Sequence, residues 1–181
     1  IMRHPFRKKW GQNFLRDPNI VIKIIRCLKP DKNDDILEIG PGDGAITDEL
    51  HGQVHHIHAV EIDPLLNKHL EGKSYANVSF YEADILEWDF SILSKDIKII
   101  GNLPYNISTP LLFHLINYRQ HIDDMYFMLQ KEVADRICAT PGSKEYGRLT
   151  IMVQSVCDVQ QLFNVSPGSF TPQPKIDSSV I

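Results

Sequence analysis

Four consecutive residues near the middle of the chain, Asn102-Leu103-Pro104-Tyr105, combine groups that could hold a flat base by its amino group. The Asn102 side chain offers a carbonyl acceptor, the Leu103 backbone carbonyl offers a second, and Pro104 fixes the local geometry while removing a competing donor. The Tyr105 ring offers a flat face for stacking. The amine of adenine is a poor nucleophile, because its lone pair is delocalised into the ring. Acceptors that hold both amino hydrogens favour a pyramidal nitrogen with a localised lone pair.

The alternative for this tetrad is a turn that closes a strand, because Asn and Pro are ordinary turn residues. The β-branched run at 97–100 predicts a buried strand just before the tetrad. In open α/β sheets, ligands bind beyond the carboxyl ends of the strands. The position of the tetrad therefore fits a binding site, and residues upstream decide between the two interpretations.

A second group of residues predicts a nucleoside pocket. Residues 38–44, Glu-Ile-Gly-Pro-Gly-Asp-Gly, form a strand-to-helix turn with glycines at alternate positions, where a ligand can lie against the backbone at Gly40 and Gly42. Glu61 closes the next predicted strand and could bind both ribose hydroxyls, and Asp84 closes the third and could accept from an adenine amino group. Glu38 is ambiguous, since it could contact the amino group of a cofactor or satisfy loop amides.

This pocket fits S-adenosylmethionine better than a nicotinamide dinucleotide. The spacing is Gly-x-Gly-x-Gly, whereas the dinucleotide fingerprint is Gly-x-Gly-x-x-Gly. No Lys or Arg is placed to bind phosphates. The alternative for Glu61 and Asp84 is a pair of plain strand-end carboxylates followed by turns.

The elements that position these residues alternate between strand and helix. Such alternation predicts an α/β fold with a parallel sheet built from right-handed crossovers. Residues 7–15 are interpreted as an arm or loop, and 149–157 fit a helix or a strand equally well. The predicted strands are 36–39, 57–62, 78–83, 97–100, 124–130, 159–165 and 176–181. The predicted helices are one that begins at Pro18 and continues up to Pro30, and 45–50, 65–70, 110–118 and 131–139.

Composition places the chain among ordinary globular proteins. It has 181 residues, of which 43% are hydrophobic and 23% charged, with no apolar run of membrane-spanning length and no signal-peptide pattern. Three scattered cysteines predict neither a metal site nor a disulfide framework, which indicates a reducing compartment, the cytoplasm or an organelle matrix, of which we expect the cytoplasm. His55, His56 and His58 lack a matching carboxylate or cysteine cluster, so we expect a surface edge and no metal there.

The distribution of charge matters more than the net charge of -4. Arg7, Lys8 and Lys9 crowd the N-terminus among aromatic residues, a pattern that can follow a phosphate backbone and stack on bases. Arg136 and Arg148 could extend an RNA path. The alternatives are a solvated tail and solvated helix faces.

At this point the residues resemble a known family, the KsgA-type ribosomal RNA adenine dimethyltransferases in their bacterial form. The erythromycin-resistance methyltransferases share the scaffold, but they usually carry Ile where Leu103 stands and lack Asn106. The matching motifs cover nearly the whole chain: 8–15, 38–44, 60–63, 83–84, 102–109, 130–134, 141–143, 146–149 and 170–178.

The resemblance implies a class I methyltransferase fold, Rossmann-like, with a mostly parallel seven-stranded sheet, one antiparallel strand and helices on both faces. It implies transfer of methyl groups from S-adenosylmethionine, which leaves S-adenosylhomocysteine, to two adjacent adenines near the 3′ end of small-subunit rRNA in the immature subunit. Tyr105 is expected to stack on the target base, and Phe170 either stacks on its other face or belongs to the core. Cofactor contacts carry over to Gln12, Asn13, Leu15, Gly40, Glu61, Asp84 and Asn102.

The resemblance also bears on organisation. We expect residues 1–181 to form one methyltransferase domain, with a basic arm at 1–17, and the helical C-terminal domain of the family to be absent from this sequence. A monomer is expected. Competing interpretations are a nicotinamide-dependent oxidoreductase, which the glycine spacing and Asp84 disfavour, a non-catalytic ribosome-assembly factor, and a relative that acts on large-subunit rRNA or on DNA.

Overall fold

The computed structural model describes residues 12–93 and 96–181. Strands and helices alternate through most of this range, as the sequence predicts. The strands are β1 (Phe14–Leu15), β2 (Asp35–Ile39), β3 (His56–Glu61), β4 (Val78–Glu82), β5 (Ile97–Asn102), β6 (Ile122–Gln130), β7 (Phe163–Val165), β8 (Phe170–Thr171) and β9 (Ser178–Val180). The helices are α1 (Pro18–Leu28), α2 (Ala45–Leu50), α3 (Pro64–Glu71), α4 (Ser108–Ile116), α5 (Lys131–Ile137) and α6 (Arg148–Gln154).

Seven strands form one sheet in the order β4-β3-β2-β5-β6-β9-β7. The first five run parallel, and β9 runs antiparallel to both of its neighbours, so the expected sheet with one antiparallel strand is confirmed. The chain moves outward from β2 through β3 to β4 and then returns to place β5 on the other side of β2. The strand order therefore reverses between β2 and β5, and their carboxyl ends flank the crevice where doubly wound sheets bind ligands.

Both faces of the sheet are covered, which explains why the central strands have continuous apolar runs. Along β2, Leu37 and Ile39 enter one core and Ile36 enters the other. The first core also takes residues of β5 and α4, and the second takes the apolar face of α1. With both faces held, the strand ends and their loops have fixed positions.

Local capping explains where two helices begin. The Asp17 side chain accepts a hydrogen bond from the Asn19 amide at 2.9 Å, and Pro18 occupies the first turn of α1. Asp63 and Pro64 repeat this arrangement at α3. The sequence predicted a cap around Asp43 for α2, but the N-cap is Gly44, at a φ of 97° that favours glycine.

The C-terminal third departs most from the sequence prediction. Residues 148–154 are helical, which resolves the ambiguity there, and the strand predicted at 159–165 covers Phe163–Val165 alone. The segment interpreted as an arm contains β1, which pairs antiparallel with β8. Strands of two residues show no periodicity, so the sequence pattern could not reveal this pairing.

Candidate active site

A cavity of about 290 Å³ lies at the carboxyl ends of β2, β3, β4 and β5. It brings together the predicted cofactor residues and most of the tetrad; Tyr105 and Phe170 are not among its lining residues. The predicted residues that line it are Gln12, Asn13, Leu15, Gly40, Gly42, Glu61, Asp84, Asn102, Leu103 and Pro104.

The glycine loop after β2 forms one wall of this cavity. Gly40 and Gly42 have φ values of 65° and 63°, in the left-handed region where side chains are strained. A Cβ atom on Gly42 would lie 3.1 Å from the Phe14 ring, so glycine also allows β1 to pack against the loop. At these two glycines the loop thus exposes backbone rather than side chains to the cavity.

Glu61 ends β3 and is 6% exposed. Its carboxylate accepts hydrogen bonds from the amides of Gly42 and Asp63, both at 3.0 Å, which fixes its orientation in the cavity wall. Burial raises the pKa of Glu61 to about 7, although both amide hydrogen bonds favour the charged form. An oriented carboxylate with spare acceptor capacity can receive hydroxyl donors.

Glu38 lies deeper, 1% exposed, and also lines the cavity. Its Oε1 accepts a hydrogen bond from the Thr47 hydroxyl at 2.5 Å. Among the described residues, no loop amide donates to it, so the interpretation of Glu38 as a ligand of loop amides is wrong in this structure. Burial, with a smaller contribution from the neighbouring Glu61, raises the pKa of Glu38 to about 7 against the opposing effect of the Thr47 hydrogen bond.

Asp84 follows β4 and lines the cavity together with the glycine loop and Glu61. Its Oδ1 accepts from the Leu86 amide at 3.0 Å, which holds the side chain in a local turn. Apolar Ile62 and Ile85 line the same cavity beside the two strand-end acids. Apolar surface next to a carboxylate suits a purine with an amino group.

The Asn102 side chain borders the same cavity as the glycine loop and the acids. Its Nδ2 donates to the Asn13 carbonyl at 3.0 Å, which leaves Oδ1 as the acceptor of the amide. The Leu103 amide donates to the Met128 carbonyl at 3.1 Å, while the Leu103 carbonyl accepts from no other residue that the structure describes. Consecutive residues at the end of β5 therefore each carry an acceptor that no described residue of the chain occupies.

The tetrad is also a turn, as the alternative interpretation held. The Pro104 carbonyl accepts from the Ile107 amide at 3.1 Å, and α4 begins at Ser108. The Tyr105 ring is 55% exposed at this turn. An exposed ring next to two acceptors is available to a base that approaches from solvent.

The structure does not support Phe170 as a residue that stacks on the target base. Its ring is 3% exposed and belongs to the core beneath β1 and β8, with Leu15 as its pairing partner. No face of the ring is open to a base in this conformation, so the alternative of a core residue describes it. Sequence reasoning supported these two alternatives equally, because a proline-rich loop has no periodic pattern.

Sequence reasoning missed several lining residues. Phe14, Asn106 and Ile107 reach the cavity from segments whose motifs were recognised but whose side-chain directions were unknown. Ile62 and Ile85 each follow a predicted site acid by one residue, so their adjacency to Glu61 and Asp84 is the signal in the sequence that points to them. Their positions follow from the strand ends.

The candidate RNA-binding residues fall in two groups. Arg7, Lys8 and Lys9 lie outside the described residues. Arg136 on α5 and Arg148 at the start of α6 are exposed, and neither forms an ion pair with any acid in ranges 12–93 and 96–181. Their charges are therefore available to a phosphate, which stays a prediction.

The described part of the chain holds neither a metal site nor a membrane-spanning helix. No group of three His, Cys, Asp or Glu residues there could hold a metal ion. His55 contacts Asp35, His56 contacts Ser79 and His58 contacts Tyr81, each at 2.8–2.9 Å, so these rings are engaged at the edge of the sheet. Within residues 12–93 and 96–181, no helix is both long and apolar enough to cross a membrane.

The sheet order, the glycine loop and the two strand-end acids around one cavity define the chain as a class I methyltransferase. The chain belongs to the ribosomal RNA adenine dimethylase family, whose model matches residues 3–181. This family uses S-adenosylmethionine as methyl donor.

Curated relatives and solved structures agree with this assignment. The chain is 50% identical to ribosomal RNA small subunit methyltransferase A of Marinobacter nauticus, over 98% of the chain and 66% of that protein. It is 48% identical to the protein of the same name from Aromatoleum aromaticum, over 100% of the chain and 69% of the relative. The chain thus spans about two thirds of the length of these relatives.

Among solved structures, a dimethyladenosine transferase from Plasmodium falciparum matches with a TM-score of 0.85 and 35% identity, over 92% of this chain and 61% of that one. The 23S rRNA methyltransferase ErmE matches with a TM-score of 0.80 and 27% identity, over 93% of this chain and 68% of that one. The expected methyltransferase fold is confirmed.

Proposed function

We propose that this chain is the catalytic domain of an rRNA adenine N6-dimethyltransferase. It transfers methyl groups from S-adenosylmethionine to two adjacent adenines near the 3′ end of small-subunit rRNA, in the cytoplasm, during ribosome biogenesis. The observation that carries this proposal is that the Asn102 amide borders the same cavity as the glycine loop, Glu61 and Asp84. The names of the curated relatives support the choice of the small subunit.

The cavity residues fit S-adenosylmethionine by their chemistry. The oriented carboxylate of Glu61 suits the two ribose hydroxyls, and Asp84 with its apolar neighbours suits the adenine. Backbone at Gly40 and Gly42 leaves room for the methionine part, and Gln12, Asn13 and Leu15 line the same cavity. No cationic side chain is required, because this cofactor carries no phosphate.

Asn102 Oδ1 and the Leu103 carbonyl are the acceptors for the two amino hydrogens of the target adenine. Pro104 holds the turn that separates them from Tyr105, whose exposed ring stacks on the base. The base must leave its stack to enter a pocket of this kind. Since Phe170 is buried, Tyr105 supplies the stacking face that the described residues offer.

When bound, the cofactor supplies an electrophilic sulfonium methyl group. The chain's own residues hold the amine in line with that group, and alignment of this kind is worth up to ~7–11 kcal/mol in favourable systems. Positive charge develops on the adenine nitrogen in the transition state, and the two oxygens with the Tyr105 face stabilise it there. The leaving thioether would need no acid, and the methylated, positively charged amine would lose its proton to water after the transfer, so the mechanism requires no general base.

The wider partners follow from the same proposal. The substrate is the immature small subunit, with the enzyme acting as a monomer. Arg7, Lys8 and Lys9 of the basic arm, together with Arg136 and Arg148, contact the RNA backbone. Residues 1–181 form one domain, and a helical C-terminal domain of the kind found in the family completes the RNA-binding surface.

Label transfer tests the function. The full-length enzyme, immature small subunits and radioactive S-adenosylmethionine are combined, and the labelled nucleotides are mapped. We expect dimethylated adenine at two adjacent positions near the 3′ end of the small-subunit rRNA. Label on large-subunit rRNA, on DNA or on no nucleic acid would contradict the proposal.

Asn102→Ala tests the role of the tetrad in the same assay. We expect the turnover number to fall about 10²–10³-fold, as when one preorganised polar group is removed from a transition-state site. Asn117→Ala is the control, because Asn117 is exposed at the end of α4. Wild-type turnover in Asn102→Ala would exclude the amide from the mechanism.

A further inference from the structure

Residues 12–16 cross the carboxyl edge of the sheet and contact it at three strand ends. We call them the crossing segment. The Gln12 amide donates to Asp63 Oδ2 at 2.9 Å after β3. The Asn13 carbonyl accepts from Asn102 Nδ2 at 3.0 Å at the end of β5, and Phe14 packs on Gly42 after β2.

The contact with Asn102 links this segment to the reacting end of the cavity. An amide can present either oxygen or nitrogen, and the partner of one decides the direction of the other. Because the Asn13 carbonyl takes the Nδ2 donor, the Oδ1 acceptor is left for a ligand. A shift of the crossing segment would break the hydrogen bond that orients the Asn102 amide and would also move one wall of the cavity.

Arg16 ties the end of the crossing segment to the glycine loop. Its guanidinium pairs with the Asp43 carboxylate and lies 5.3 Å from the centre of the Phe14 ring. Its backbone amide donates to the Ser169 carbonyl at 2.8 Å. Asp43 itself lines the cavity, so the pair joins the two walls directly.

We propose that Arg16 is a positioning residue for cofactor binding, which acts by holding the crossing segment against the glycine loop through Asp43. This inference rests on the proposed function only in taking S-adenosylmethionine as the ligand. The side chains of Arg16 and Asp43 are 44% and 24% exposed, so the pair is screened by solvent and its effect is moderate. Arg16 touches no reacting atom and sets geometry alone.

A double-mutant cycle on the full-length enzyme tests the proposal. The dissociation constant of S-adenosylmethionine is measured without RNA for wild type, Arg16→Gln, Asp43→Asn and the double variant. Each single variant is expected to weaken binding about two- to fivefold, the size of an exposed ion pair, and the double variant no more than either single one. Because the measurement contains no RNA, it tests Arg16 even if the enzyme does not methylate rRNA.

Two further readouts separate positioning from a general structural role. At saturating cofactor the turnover number of Arg16→Gln stays at the wild-type value, whereas the KM for cofactor rises, since bound cofactor holds the wall itself. High salt reduces the ratio of the cofactor dissociation constants of Arg16→Gln and wild type, because it screens the ion pair: the Debye length falls to about 3 Å at 1 M salt. Lys98→Gln removes the 3.0 Å ion pair with Asp34 at the other edge of the sheet and serves as the control with unchanged cofactor affinity.

The proposal is overturned by additive effects in the cycle, by unchanged cofactor affinity in Arg16→Gln, or by a loss of turnover number at saturating cofactor. A lower unfolding temperature in Arg16→Gln that matches its loss of affinity would also overturn it, since that would make the role structural. Hydrogen exchange at the amide of residue 16, which donates to the Ser169 carbonyl at 2.8 Å, gives an independent measure once the intrinsic exchange rates are corrected for sequence, with faster exchange expected in Arg16→Gln than in Lys98→Gln.

Discussion

At the scale of single residues, two glutamates share the floor of the cavity, and both have a pKa of about 7. Their surroundings differ. Glu61 accepts hydrogen bonds from two backbone amides, whereas Glu38 accepts a single hydrogen bond, from the Thr47 hydroxyl. Glu61 is therefore better prepared to be charged and to bind hydroxyl donors, and Glu38 is the carboxyl group that burial favours as neutral.

The raised pKa of Glu38 predicts how stability depends on pH. The folded state binds the proton more tightly than the unfolded chain, whose pKa is near 4.5, so the contribution of Glu38 is present below that pH and is lost as pH rises through about 7. Gln at this position is neutral at every pH and can still accept from Thr47. We expect Glu38→Gln to unfold like wild type near pH 5 and to be more stable near pH 8, by on the order of 3 kcal/mol.

Urea unfolding of both proteins across this pH range measures the difference. Glu71→Gln is the control, because Glu71 is exposed at the end of α3 and its substitution should give no such trend. A stability difference that does not change with pH, or that favours wild type at high pH, would contradict the prediction.

Substitutions of Phe170 and Tyr105 are predicted to have opposite effects, the first on stability and the second on activity. Phe170→Leu should lower the free energy of unfolding by about 1 kcal/mol, the size of a conservative core swap, with little change in kcat/KM for RNA. Tyr105→Leu should leave stability unchanged, because its ring is 55% exposed, and should lower kcat/KM about 5- to 100-fold because the base no longer stacks on a ring. Urea unfolding and methyl transfer on both variants check this, and the reverse pattern would restore Phe170 as the stacking residue.

At the scale of elements, the close pairing of β2 and β5 fixes the site. Gly101 lies opposite Ile39, and a Cβ atom there would lie 2.9 Å from the Ile39 carbonyl oxygen and 3.1 Å from the Leu103 side chain. A Cβ atom that close to a backbone oxygen forces the backbone to move, so a side chain at this position would separate the strands that carry the glycine loop and the tetrad. Glycine at 101 is thus a requirement of the site as well as of the sheet.

Gly101→Ala is expected to lower the free energy of unfolding by about 1–3 kcal/mol, as overpacked cores do, and to reduce methyl transfer as well. Gly52→Ala is the matched control: nothing lies within 4 Å of a Cβ atom there, and we expect a change between zero and a gain of about 1 kcal/mol. Thermal unfolding of both variants compares them. Equal stability of the two would show that β2 and β5 adjust without strain.

Elements with strong local patterns were predictable, and those that depend on long-range contacts were not. Asp17-Pro18 and Asp63-Pro64 marked helix starts, and buried runs marked β2, β3 and β5, so Glu61, Asp84 and Asn102 could be placed at strand ends. The pairing of β1 with β8 joins residues far apart in sequence, and each strand is too short to show a period. The burial of Phe170 and the contact between Asn13 and Asn102 follow from that pairing, and so neither was visible in the sequence.

At the scale of the whole molecule, sheet topology gathers the chemistry at one edge while leaving the net charge at -4. Affinity for a phosphate backbone must then come from local cations rather than from the overall field. Arg136 and Arg148 are exposed and unpaired among the described residues, and Lys8 and Lys9 lie in the basic N-terminal sequence. Their contribution to RNA affinity has a characteristic effect that a change in fold would not produce.

That effect is the dependence of RNA affinity on salt. Removing one cation that neutralises a phosphate should reduce the slope of log affinity against log salt by roughly 0.7–1, so Arg136→Gln with Arg148→Gln, and Lys8→Ala with Lys9→Ala, should each flatten it by about 1.5–2. Binding of the full-length variants to immature small subunits is measured across a salt series. Lys32→Gln, in the exposed turn before β2 at the opposite edge of the sheet, is the control and should keep the wild-type slope. An unchanged slope in either pair would identify those residues as solvated surface charges, and the RNA path would then have to cross the edge elsewhere.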